Sequence, residues 1–481
     1  MPKLLVANRG EIAIRIFRTA RKKGWKCVAV YSEADRHSLH LAHADEAYCI
    51  GPAPAKDSYL NIPSILEAAK KSGAGFIHPG YGFLSEKSEF VSAVESAGLV
   101  FIGPGVEAMQ KLGSKIAAKQ IAEQLGIPLV PGYHRPIRDD GEGIAMARHI
   151  GVPLMIKAAA GGGGKGMRVV KDLSQIVEAI SRARAESKAS FADDSIFLEK
   201  YIENPRHVEV QIMADLSGRC IAFPERECSL QRRHQKLMEE SPCVFISSTT
   251  REALRRDAVR LAQACGYTNT GTVEFIVDAE ENYYFLEMNT RLQVEHTVTE
   301  MLTGLDLVDL QLDIALGRSL PFTQEEIRSV GHAMQWRIYA EDPAQGFMPS
   351  TGQITKYLAP TLPQIRIDSG YGQGSEVEVY YDPMIAKLIA SDQDRFSCME
   401  RLKEALQQFI IEGIETSIPF GIRVLEHPAV LAGDLSTGFL DQHLNEILYP
   451  PDLEDKYLAA AAAAYHYYRT QSGQLKLPNH E

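Results

Sequence analysis

Two acidic segments near the middle of the chain carry residue types that could bind a cation. Residues 271–277 and 283–289 both read as strands, and the polar run between them predicts a turn. If residues 279–282 close a hairpin, Glu274 lies opposite Glu287. Directly opposed like charges destabilise a sheet, whereas a bound divalent cation would reverse that penalty. The pair therefore predicts a magnesium or manganese site built from oxygen ligands.

The second of these strands leads into the segment Glu287-Met-Asn-Thr-Arg-Leu-Gln-Val-Glu-His296. Side chains alternate along an extended strand, so one face would carry two acids, two amides and an arginine. These residues are Glu287, Asn289, Arg291, Gln293 and Glu295. Such a face is improbable as a buried packing surface. The alternative is a solvated outer face with salt bridges, and the opposed Glu274 favours a site.

A glycine-rich run, Gly161-Gly-Gly-Gly-Lys-Gly-Met167, lies between predicted strands at 153–157 and 168–170. A dinucleotide-binding motif would open a helix, and a Walker loop needs serine or threonine after its lysine, so neither fits. A glycine hairpin can instead close over a polyphosphate, because bare backbone N–H groups can approach its oxygens. Lys157 could neutralise phosphate charge there. The alternative is a flexible turn without a ligand, although four adjacent glycines are costly in a mere turn.

A basic loop, residues 225–236, places Arg232, Arg233, His234 and Lys236 close together. It is flanked by Glu239 and Glu240. Composition alone leaves two interpretations open, an anion-binding loop and a solvated loop with salt bridges.

These segments must be positioned by alternating strands and helices. The opening residues read as strand 3–7, helix about 11–23, strand 26–31, helix about 59–71 and strand 75–77, which predicts a parallel sheet covered by helices. Its first turn has a single glycine where a dinucleotide site needs three, so we expect a Rossmann-like half without NAD. Residues 78–86 form a loop at a strand's carboxyl end, where such folds bind ligands. Further on, strands are expected at 332–339, 376–380 and 384–390 and helices at 394–408 and 459–464.

The bulk properties describe an ordinary globular enzyme. The 481 residues are 45% hydrophobic and 23% charged, enough for about three domains. The net charge of −11 gives no reason to expect nucleic-acid binding. Seven scattered cysteines indicate free thiols, and the longest small apolar run, residues 458–464, is too short to span a bilayer. Without a signal-peptide pattern near Met1, a cytoplasmic location is expected.

Eight blocks in this order resemble the biotin carboxylase family over nearly the whole chain. They are residues 7–13, 78–86, the glycine run, 199–201, 205–209, 231–236, 287–296, and Arg337 with 341–343. The resemblance implies an α/β fold, in part α+β, of the ATP-grasp type. It implies a Rossmann-like domain at 1–113, an ATP-grasp domain at 114–330 with a mobile glycine-rich lid at about 131–203, a C-terminal biotin carboxylase domain at 331–446, and a partly helical tail at 447–481.

Roles carried over by motif fall into three groups. ATP contacts are implied for Lys115, Lys157, Glu199, Lys200, His207, Gln231 and His234, with Gly162, Gly163, Gly164, Lys165, Gly166 and Met167 in the lid. Glu274, Glu287 and Asn289 resemble the ligands of Mg²⁺ or Mn²⁺. Bicarbonate or biotin contacts are implied for Lys236, Arg291, Gln293, Val294, Glu295, Arg337 and Tyr81.

The resemblance also implies the chemistry. Glu295 would be the base that deprotonates bicarbonate for attack on the γ-phosphate of ATP, giving carboxyphosphate. That intermediate would release carbon dioxide and phosphate, and the phosphate would take the ureido proton of biotin. Arg337 would stabilise the biotin enolate, with Arg291 and Lys236 in the same catalytic group.

Two departures and the partners complete this interpretation. Ser114 stands where the family has aspartate beside Lys115, and Lys165 occupies a position that is lysine or arginine in the family. No Ala-Met-Lys-Met motif occurs, so biotin is expected on a separate carrier protein, beside a carboxyltransferase subunit, with the chain itself a homodimer. The Ala-rich tail is either a docking helix or an ordinary terminal helix.

Two rival functions have to be weighed. Another ATP-grasp ligase, of the carbamoyl-phosphate or purine-carboxylating kind, would share the lid and the metal site, and Glu295, Arg337 and the basic loop separate it. A non-catalytic ATP-binding scaffold is the other, and the intact matched positions argue against it.

Overall fold

The computed structural model describes residues 1–159, 166–191, 193–449 and 451–472. The predicted lid residues Gly162, Gly163, Gly164 and Lys165 lie outside them. All seven cysteines are free. Within the described residues, no helix combines the length and apolar character needed to cross a membrane.

The N-terminal part is a parallel sheet flanked by helices, as predicted. Its elements are β1 (Lys3–Val6), α1 (Gly10–Lys22), β2 (Lys26–Ser32), β3 (Glu46–Gly51), α2 (Ile62–Ser72), β4 (Phe76–His78), α3 (Ser88–Ser96), β5 (Val100–Phe101) and α4 (Val106–Gly113). The strand order is β3-β2-β1-β4-β5. The sequence interpretation missed β3, which alternates intermediate and exposed residues at the sheet edge. The loop after β4 leaves the carboxyl end of a central strand, the position favoured for ligand binding.

Residues 132–159, 166–191 and 193–200 form a separate small unit with its own apolar core around Ile156, Ile180 and Leu198. Its elements, with the helix that precedes them, are α5 (Lys115–Gln124), β6 (Gly132–Tyr133), α6 (Asp140–Ile150), β7 (Leu154–Ala158), β8 (Arg168–Val170), α7 (Ile176–Phe191) and β9 (Ile196–Lys200). Strands β7 and β8 pair antiparallel, so the strands predicted on both sides of the glycine run are present and adjacent. The sheet order is β6-β9-β7-β8.

The central elements supply most of the site. They are β10 (Arg206–Ala214), β11 (Cys220–Ala222), β12 (Arg226–Glu227), β13 (Gln231–Arg232), β14 (Gln235–Lys236), β15 (Met238–Ser241), α8 (Ser248–Ala264), β16 (Asn269–Val277), β17 (Tyr283–Asn289), α9 (His296–Thr303) and α10 (Leu307–Ala315). The polar side chains of β10 alternate with Val208, Val210 and Ile212, which enter an apolar core.

The C-terminal elements continue the same sheet. They are β18 (His332–Tyr339), β19 (Glu341–Asp342), β20 (Met348–Pro349), β21 (Gly352–Gln353), β22 (Lys356–Leu358), β23 (Ile365–Ser369), β24 (Glu376–Val377), β25 (Met384–Asp392), α11 (Arg395–Gln408), β26 (Ile410–Glu412), α12 (Ile418–Glu426), α13 (Pro428–Ala432), α14 (Phe439–Leu448) and α15 (Pro451–Ser472). One antiparallel sheet runs in the order β17-β16-β10-β12-β15-β18-β25-β23, with β11 on β10. Because β15 pairs with β18, this sheet crosses the boundary predicted between residues 330 and 331.

Candidate active site

The opposed carboxylates are present as predicted. Strands β16 and β17 pair antiparallel, with Glu274 opposite Glu287 and Thr272 opposite Asn289. The hairpin differs from the predicted one, whose loop was residues 279–282. The register shifts after Glu274 and leaves Leu286 as a bulge, so the turn spans residues 278–282. Glu287 and Asn289 share the face of Glu274, since residues two apart on a strand point the same way. Two carboxylates and an amide oxygen form a donor set that suits Mg²⁺.

Beyond Asn289 the predicted strand face is wrong, because β17 ends there and residues 290–295 are irregular. Side chains from other parts of the chain hold this segment in place of a strand ladder. The N–H of Thr290 donates to Glu86 at 3.1 Å, and the carbonyl of Val294 accepts from Lys387 at 3.1 Å. Gln293 still contacts the opposed carboxylates Glu274 and Glu287, which we call the metal pair, because it donates to Glu274 at 2.9 Å. The predicted residues therefore converge without forming one strand.

Lys236 lies at the centre of the site and contacts three buried carboxylates. Its Nζ is 2.7 Å from Glu209, 2.9 Å from Glu274 and 2.7 Å from Glu295. Burial lowers the pKa of Lys236, but the three carboxylates outweigh it and hold the pKa well above its usual value. The ammonium is therefore a fixed positive charge in the place where the family resemblance puts bicarbonate.

Glu295 is buried between two cations. Its Oε1 contacts Lys236, and its Oε2 accepts from Arg337 at 3.0 Å. Burial raises the pKa of Glu295, yet Lys236 and Arg337 outweigh burial and leave the pKa below its usual value. The carboxylate is ionised at neutral pH, which is the form that can accept a proton. Arg337 is itself fixed by Glu239, which accepts from its Nε at 2.6 Å.

Arg291 joins the predicted bicarbonate residues to the loop after β4. Its Nε donates to Glu86 at 3.0 Å, and another guanidinium nitrogen donates to Asn289 at 2.9 Å. This contact connects residues 78–86 to the end of β17.

Glu199, a predicted ATP contact, is another buried carboxylate and is surrounded by basic side chains. Lys119 and Lys157 each approach it at 2.6 Å, and His134 lies 3.3 Å away. Burial raises the pKa of Glu199, but the two lysines outweigh it and hold the pKa well below its usual value. Lys157 therefore anchors one end of a buried charge cluster beside the β7–β8 hairpin. Lys200, the residue after Glu199, donates to the carbonyl of Val152 at 3.1 Å.

Lys115 connects this region to the metal pair, because its Nζ contacts Glu287 at 2.8 Å. His207 lies 3.4 Å from Glu274 and 3.7 Å from Glu209. Burial lowers the pKa of His207, but Glu274 and Glu209 together outweigh burial and raise the pKa to about 9. Three basic side chains, Lys115, His207 and Lys236, thus contact the two opposed carboxylates, and this concentration of positive charge is suited to binding a polyanion together with its cation.

Gln231 and His234 lie on the short β13–β14 hairpin, whose turn is Arg233-His234. Both turn residues have positive φ, 49° and 67°, the region normally taken by Asn-Gly in such turns. Gln231 is buried and donates weakly to the carbonyl of Cys228 at 3.5 Å. Burial lowers the pKa of His234, and the charges of Lys157 and Lys115 lower it further. Residues 225–231 of the basic loop are buried, Arg232 and Lys236 are half-buried, and Arg233 and His234 at the turn are exposed, so the loop is folded into the protein except at its tip.

Of the lid residues, Gly166 and Met167 fall within the described part of the chain. Gly166 has φ 73° and accepts a backbone bond from Ala158, which starts the β7–β8 hairpin. A Cβ at Gly166 would lie 2.8 Å from that of Ala158, so the position requires glycine.

A cavity of about 410 Å³ opens beside the guanidinium of Arg337. It is lined by Glu11, Tyr81, Val294 and Arg337, with a cluster of tyrosines that includes Tyr339 and Tyr371. The size and the mixture of aromatic walls with a few polar groups are typical of small-ligand pockets. Three of the residues predicted to contact bicarbonate or biotin, Tyr81, Val294 and Arg337, therefore line one cavity.

Sequence reasoning missed several residues that hold the site. The missed charges are Glu86, Lys119, Glu209, Arg226, Glu239 and Lys387. Arg226 is fully buried and donates to Glu209 at 2.7 Å and to Gln293 at 2.7 Å. A signal was available for Glu209, since His207, Glu209 and Gln211 alternate with valine and isoleucine along β10. The same alternation had singled out the segment after Glu287.

Three family models match successive parts of the chain. They are the biotin carboxylase N-terminal domain at residues 1–109, the ATP-binding domain of the carbamoyl-phosphate synthase L chain at 114–323, and the biotin carboxylase C-terminal domain at 335–442.

Relatives at nearly half identity cover most of the chain. A biotin carboxylase of Halalkalibacterium halodurans is 49% identical over 442 residues, covering 92% of this chain and 98% of that protein. The mitochondrial methylcrotonoyl-CoA carboxylase subunit alpha of Dictyostelium discoideum is 48% identical over 464 residues, 96% of this chain. The chain spans 66% of that longer relative.

Solved structures agree in fold. The biotin carboxylase of Campylobacter jejuni, in a complex with a β,γ-ATP ligand, has a TM-score of 0.90 at 44% identity, over 92% of this chain and 98% of that one. The biotin carboxylase domain dimer of Hydrogenobacter thermophilus 2-oxoglutarate carboxylase, with MgADP and bicarbonate, has a TM-score of 0.90 at 41% identity, over 93% of this chain and 98% of that one. This chain belongs to the biotin carboxylase family.

Proposed function

We propose that this chain uses ATP and bicarbonate to carboxylate biotin, the first half-reaction of a multi-subunit acyl-CoA or pyruvate carboxylase. The observation that carries the proposal is the position of Glu295. Its carboxylate lies between Lys236, on the side of the metal pair, and Arg337, on the side of the tyrosine-lined cavity. One carboxylate thus contacts both a lysine that also contacts Glu274 and an arginine that lines the cavity.

Bicarbonate binding falls to Lys236, Arg291 and Gln293 in this proposal. Glu295 takes the bicarbonate proton, and the resulting oxygen attacks the γ-phosphate of ATP, giving carboxyphosphate and ADP. A base must lie within hydrogen-bond reach of its proton, and the 2.7 Å contact between Lys236 and Glu295 supports this role, because an anion bound by Lys236 would lie near that carboxylate.

Nucleotide binding falls to the charged residues around Glu199 and Glu287. Lys115, Lys157, His207, Gln231 and His234 would face the phosphates, Glu199 and Lys200 would lie at the strand beside them, and the glycine lid would close over them. Glu274, Glu287 and Asn289 would hold Mg²⁺ or Mn²⁺, which would neutralise charge on the phosphates.

Biotin occupies the cavity in this proposal. Carboxyphosphate releases carbon dioxide, and the phosphate left behind removes the ureido proton. The guanidinium of Arg337, which Glu239 holds in position, stabilises the enolate that forms. A charge that is already in position stabilises developing negative charge without the cost of reorganisation. Tyr81 and Val294 shape the wall of the cavity.

The wider assembly follows from the relatives. We propose a separate biotin carrier protein and a carboxyltransferase subunit as partners and a homodimer as the assembly, and the carboxylase subunits among the relatives and the dimeric structure support this. We keep the division into residues 1–113, 114–330 with a lid at about 131–203, 331–446 and the tail 447–481. The cytoplasmic location stays a prediction.

The test is phosphate release from ATP by the purified chain. We expect release to require bicarbonate and Mg²⁺ and to rise when free biotin is added. An enzyme that binds MgATP and hydrolyses it with no response to biotin would point to another ATP-grasp ligase, and one that binds MgATP without hydrolysis would be a scaffold.

Arg337→Lys offers a sharper form of the same test. We expect it to abolish the response to biotin while ATP binding persists, because lysine lacks the planar fork that Glu239 and Glu295 hold. Arg395→Lys is the matched control, since Arg395 is held by Glu240, the neighbour of Glu239 on β15, and lies outside the proposed site. Equal losses in both variants would remove the assigned role of Arg337.

A further inference from the structure

Lys387 is a fully buried lysine in the middle of the sheet. It lies on β25, opposite Arg337 of β18 on one side and Asp368 of β23 on the other. Two cations directly opposed across a sheet repel each other. A buried charge also requires partners, so the contacts of Lys387 must account for its presence beside Arg337.

The ammonium of Lys387 contacts two parts of the cavity wall. Its Nζ donates to the carbonyl of Val294 at 3.1 Å and lies 3.2 Å from one carboxylate oxygen of Glu11. The other oxygen of Glu11 accepts the hydroxyl hydrogen of Tyr81. Asp368 lies at 4.0 Å, farther than either contact. One ammonium therefore connects the segment 290–295 to the loop 78–86.

The backbone of Glu11 is held in place by close packing. A Cβ on Gly370 would lie 2.6 Å from the backbone nitrogen of Glu11, so the start of α1 already packs directly on the chain that follows β23. Four groups, Lys387, Asp368, Arg366 and Tyr81, face the Glu11 carboxylate. Burial raises its pKa, and Lys387 is the strongest opposing influence.

The catalytic carboxylate is anchored separately. Glu295 follows Val294 in the chain, yet its own oxygens are held by Lys236 and Arg337. Loss of the Lys387 ammonium would thus loosen the Val294 carbonyl and Tyr81 while leaving two cations on Glu295. The side of the cavity where biotin is proposed to bind would be affected more than the bicarbonate side.

We infer that Lys387 is a positioning residue for the biotin cavity: it holds the Val294 carbonyl and, through Glu11, the Tyr81 hydroxyl in the cavity wall. The inference rests on the proposed function, because it assigns those walls to biotin. It explains why a cation lies next to Arg337 without lining the cavity itself.

The test is Lys387→Met in the full chain, with free biotin as the probe. Methionine has a similar length and no charge. We expect the KM for biotin to rise about tenfold, because loosening the Val294 carbonyl and the Tyr81 hydroxyl removes binding contacts in the cavity wall. The KM values for ATP and bicarbonate, and the ATP hydrolysis measured without biotin, should stay within about twofold. Structural damage alone would lower both reactions together and leave the KM for biotin unchanged, and that result would overturn the inference.

Two further variants keep the test decisive if Lys387→Met does not fold. Glu11→Gln retains an acceptor for Tyr81 but removes the charge that Lys387 contacts, and Tyr81→Phe removes the hydroxyl. Both should raise the KM for biotin selectively, and Glu11→Gln/Tyr81→Phe should raise it by less than the product of the two single effects, since the residues act in one chain of contacts. Multiplicative effects, or unchanged KM values, would overturn the inference.

Lys23→Met is the matched control. Lys23 also ties α1 to another part of the chain, through Asp309 and Asp313 of α10, but far from the cavity wall. It should leave the KM for biotin unchanged. If the wild-type chain shows no response to biotin, the proposed function is wrong. If the wild type responds normally and Lys387→Met has an unchanged KM for biotin, only the inference about Lys387 is wrong.

Discussion

Glu274 and Glu287 face each other across β16 and β17, and each carboxylate contacts a different lysine. Lys236 lies 2.9 Å from Glu274, and Lys115 lies 2.8 Å from Glu287. The two lysines offset the repulsion between the opposed carboxylates. Glu287 is the more accessible of the two, with 28% of its side chain exposed, and is paired with a lysine that is itself a proposed phosphate contact. Binding of MgATP would let Lys115 turn to phosphate and Glu287 to the cation.

Replacing Glu287 should therefore weaken the response to magnesium. Glu287→Gln keeps the shape but removes a charged oxygen ligand. We expect the Mg²⁺ concentration for half-maximal bicarbonate-dependent ATP hydrolysis to rise by at least about tenfold. Glu281→Gln, in the turn of the same hairpin, is the control, because that carboxylate accepts from Ser247 and Thr250 instead. An unchanged magnesium titration for Glu287→Gln would remove Glu287 from the metal site.

Replacing Glu295 should separate chemistry from binding. Glu295→Gln removes the proton acceptor and leaves Lys236 paired with Glu209 and Glu274. We expect bicarbonate-dependent ATP hydrolysis to fall by about a hundredfold or more, the usual contribution of a general base. ATP affinity, measured by calorimetry, should change by less than about threefold. Substantial activity in this variant would mean that another group takes the proton.

Replacing Glu199 should destabilise the protein. Glu199→Gln leaves Lys119 and Lys157 buried without their carboxylate, which costs about 3–5 kcal/mol of unfolding free energy. Denaturant unfolding would measure it, and Glu199→Gln/Lys119→Met should recover part of the loss. Glu186→Gln breaks the half-exposed pair with Arg168 and should cost at most about 1 kcal/mol. Equal effects of the two single variants would show that the Glu199 cluster does not stabilise the fold.

The loop that carries Tyr81 should contribute to acid sensitivity. Burial lowers the pKa of His78 to about 4, although the hydrogen bond with Gln311 opposes the shift. Its Nδ1 accepts the N–H of Gly80, so the folded protein holds the neutral ring. In the unfolded chain the ring takes up a proton near pH 6.5, so His78 reduces stability progressively as pH falls from about 6.5 to about 4 and has no such effect above that window.

His78→Asn tests this contribution, because asparagine can still accept from Gly80 and does not titrate. Thermal unfolding should show a smaller loss of stability between neutral and acidic pH than in the wild type. His37→Asn, at an exposed position, should keep the wild-type pH dependence. A wild-type pH dependence in His78→Asn would show that His78 is not the titrating group.

The sequence predicted those parts of the site whose geometry is determined by periodicity and spacing along the chain. The opposition of Glu274 and Glu287 followed from a two-residue alternation, and it survived an error in the turn because the bulge at Leu286 compensated for the longer loop. Alternation failed after Asn289, where hydrogen bonds from Glu86 and Lys387 replace a ladder partner. Those donors and acceptors come from segments distant in the chain, and spacing along one strand carries no information about them.

The sequence also failed to predict the buried charge pairs. Arg226 and Glu209 are 17 positions apart, and Lys119 and Glu199 are 80 apart, so neither pair forms a local pattern. Lys119 lies within an ordinary-looking helix, α5, and contacts Glu199 of β9 and the Phe285 carbonyl of β17. Each of these residues became visible once the strands were placed side by side.

The pairing of β15 with β18 has a consequence for how the chain can be divided. Four residue pairs join these strands, Met238–Trp336 through Ser241–Ala333, across the boundary at 330 and 331. A nick in residues 328–330, which are exposed, would cut the connection but leave that ladder and the core around Trp336 in place. The two fragments should therefore remain associated and, when co-expressed as separate polypeptides, reassemble into one split enzyme.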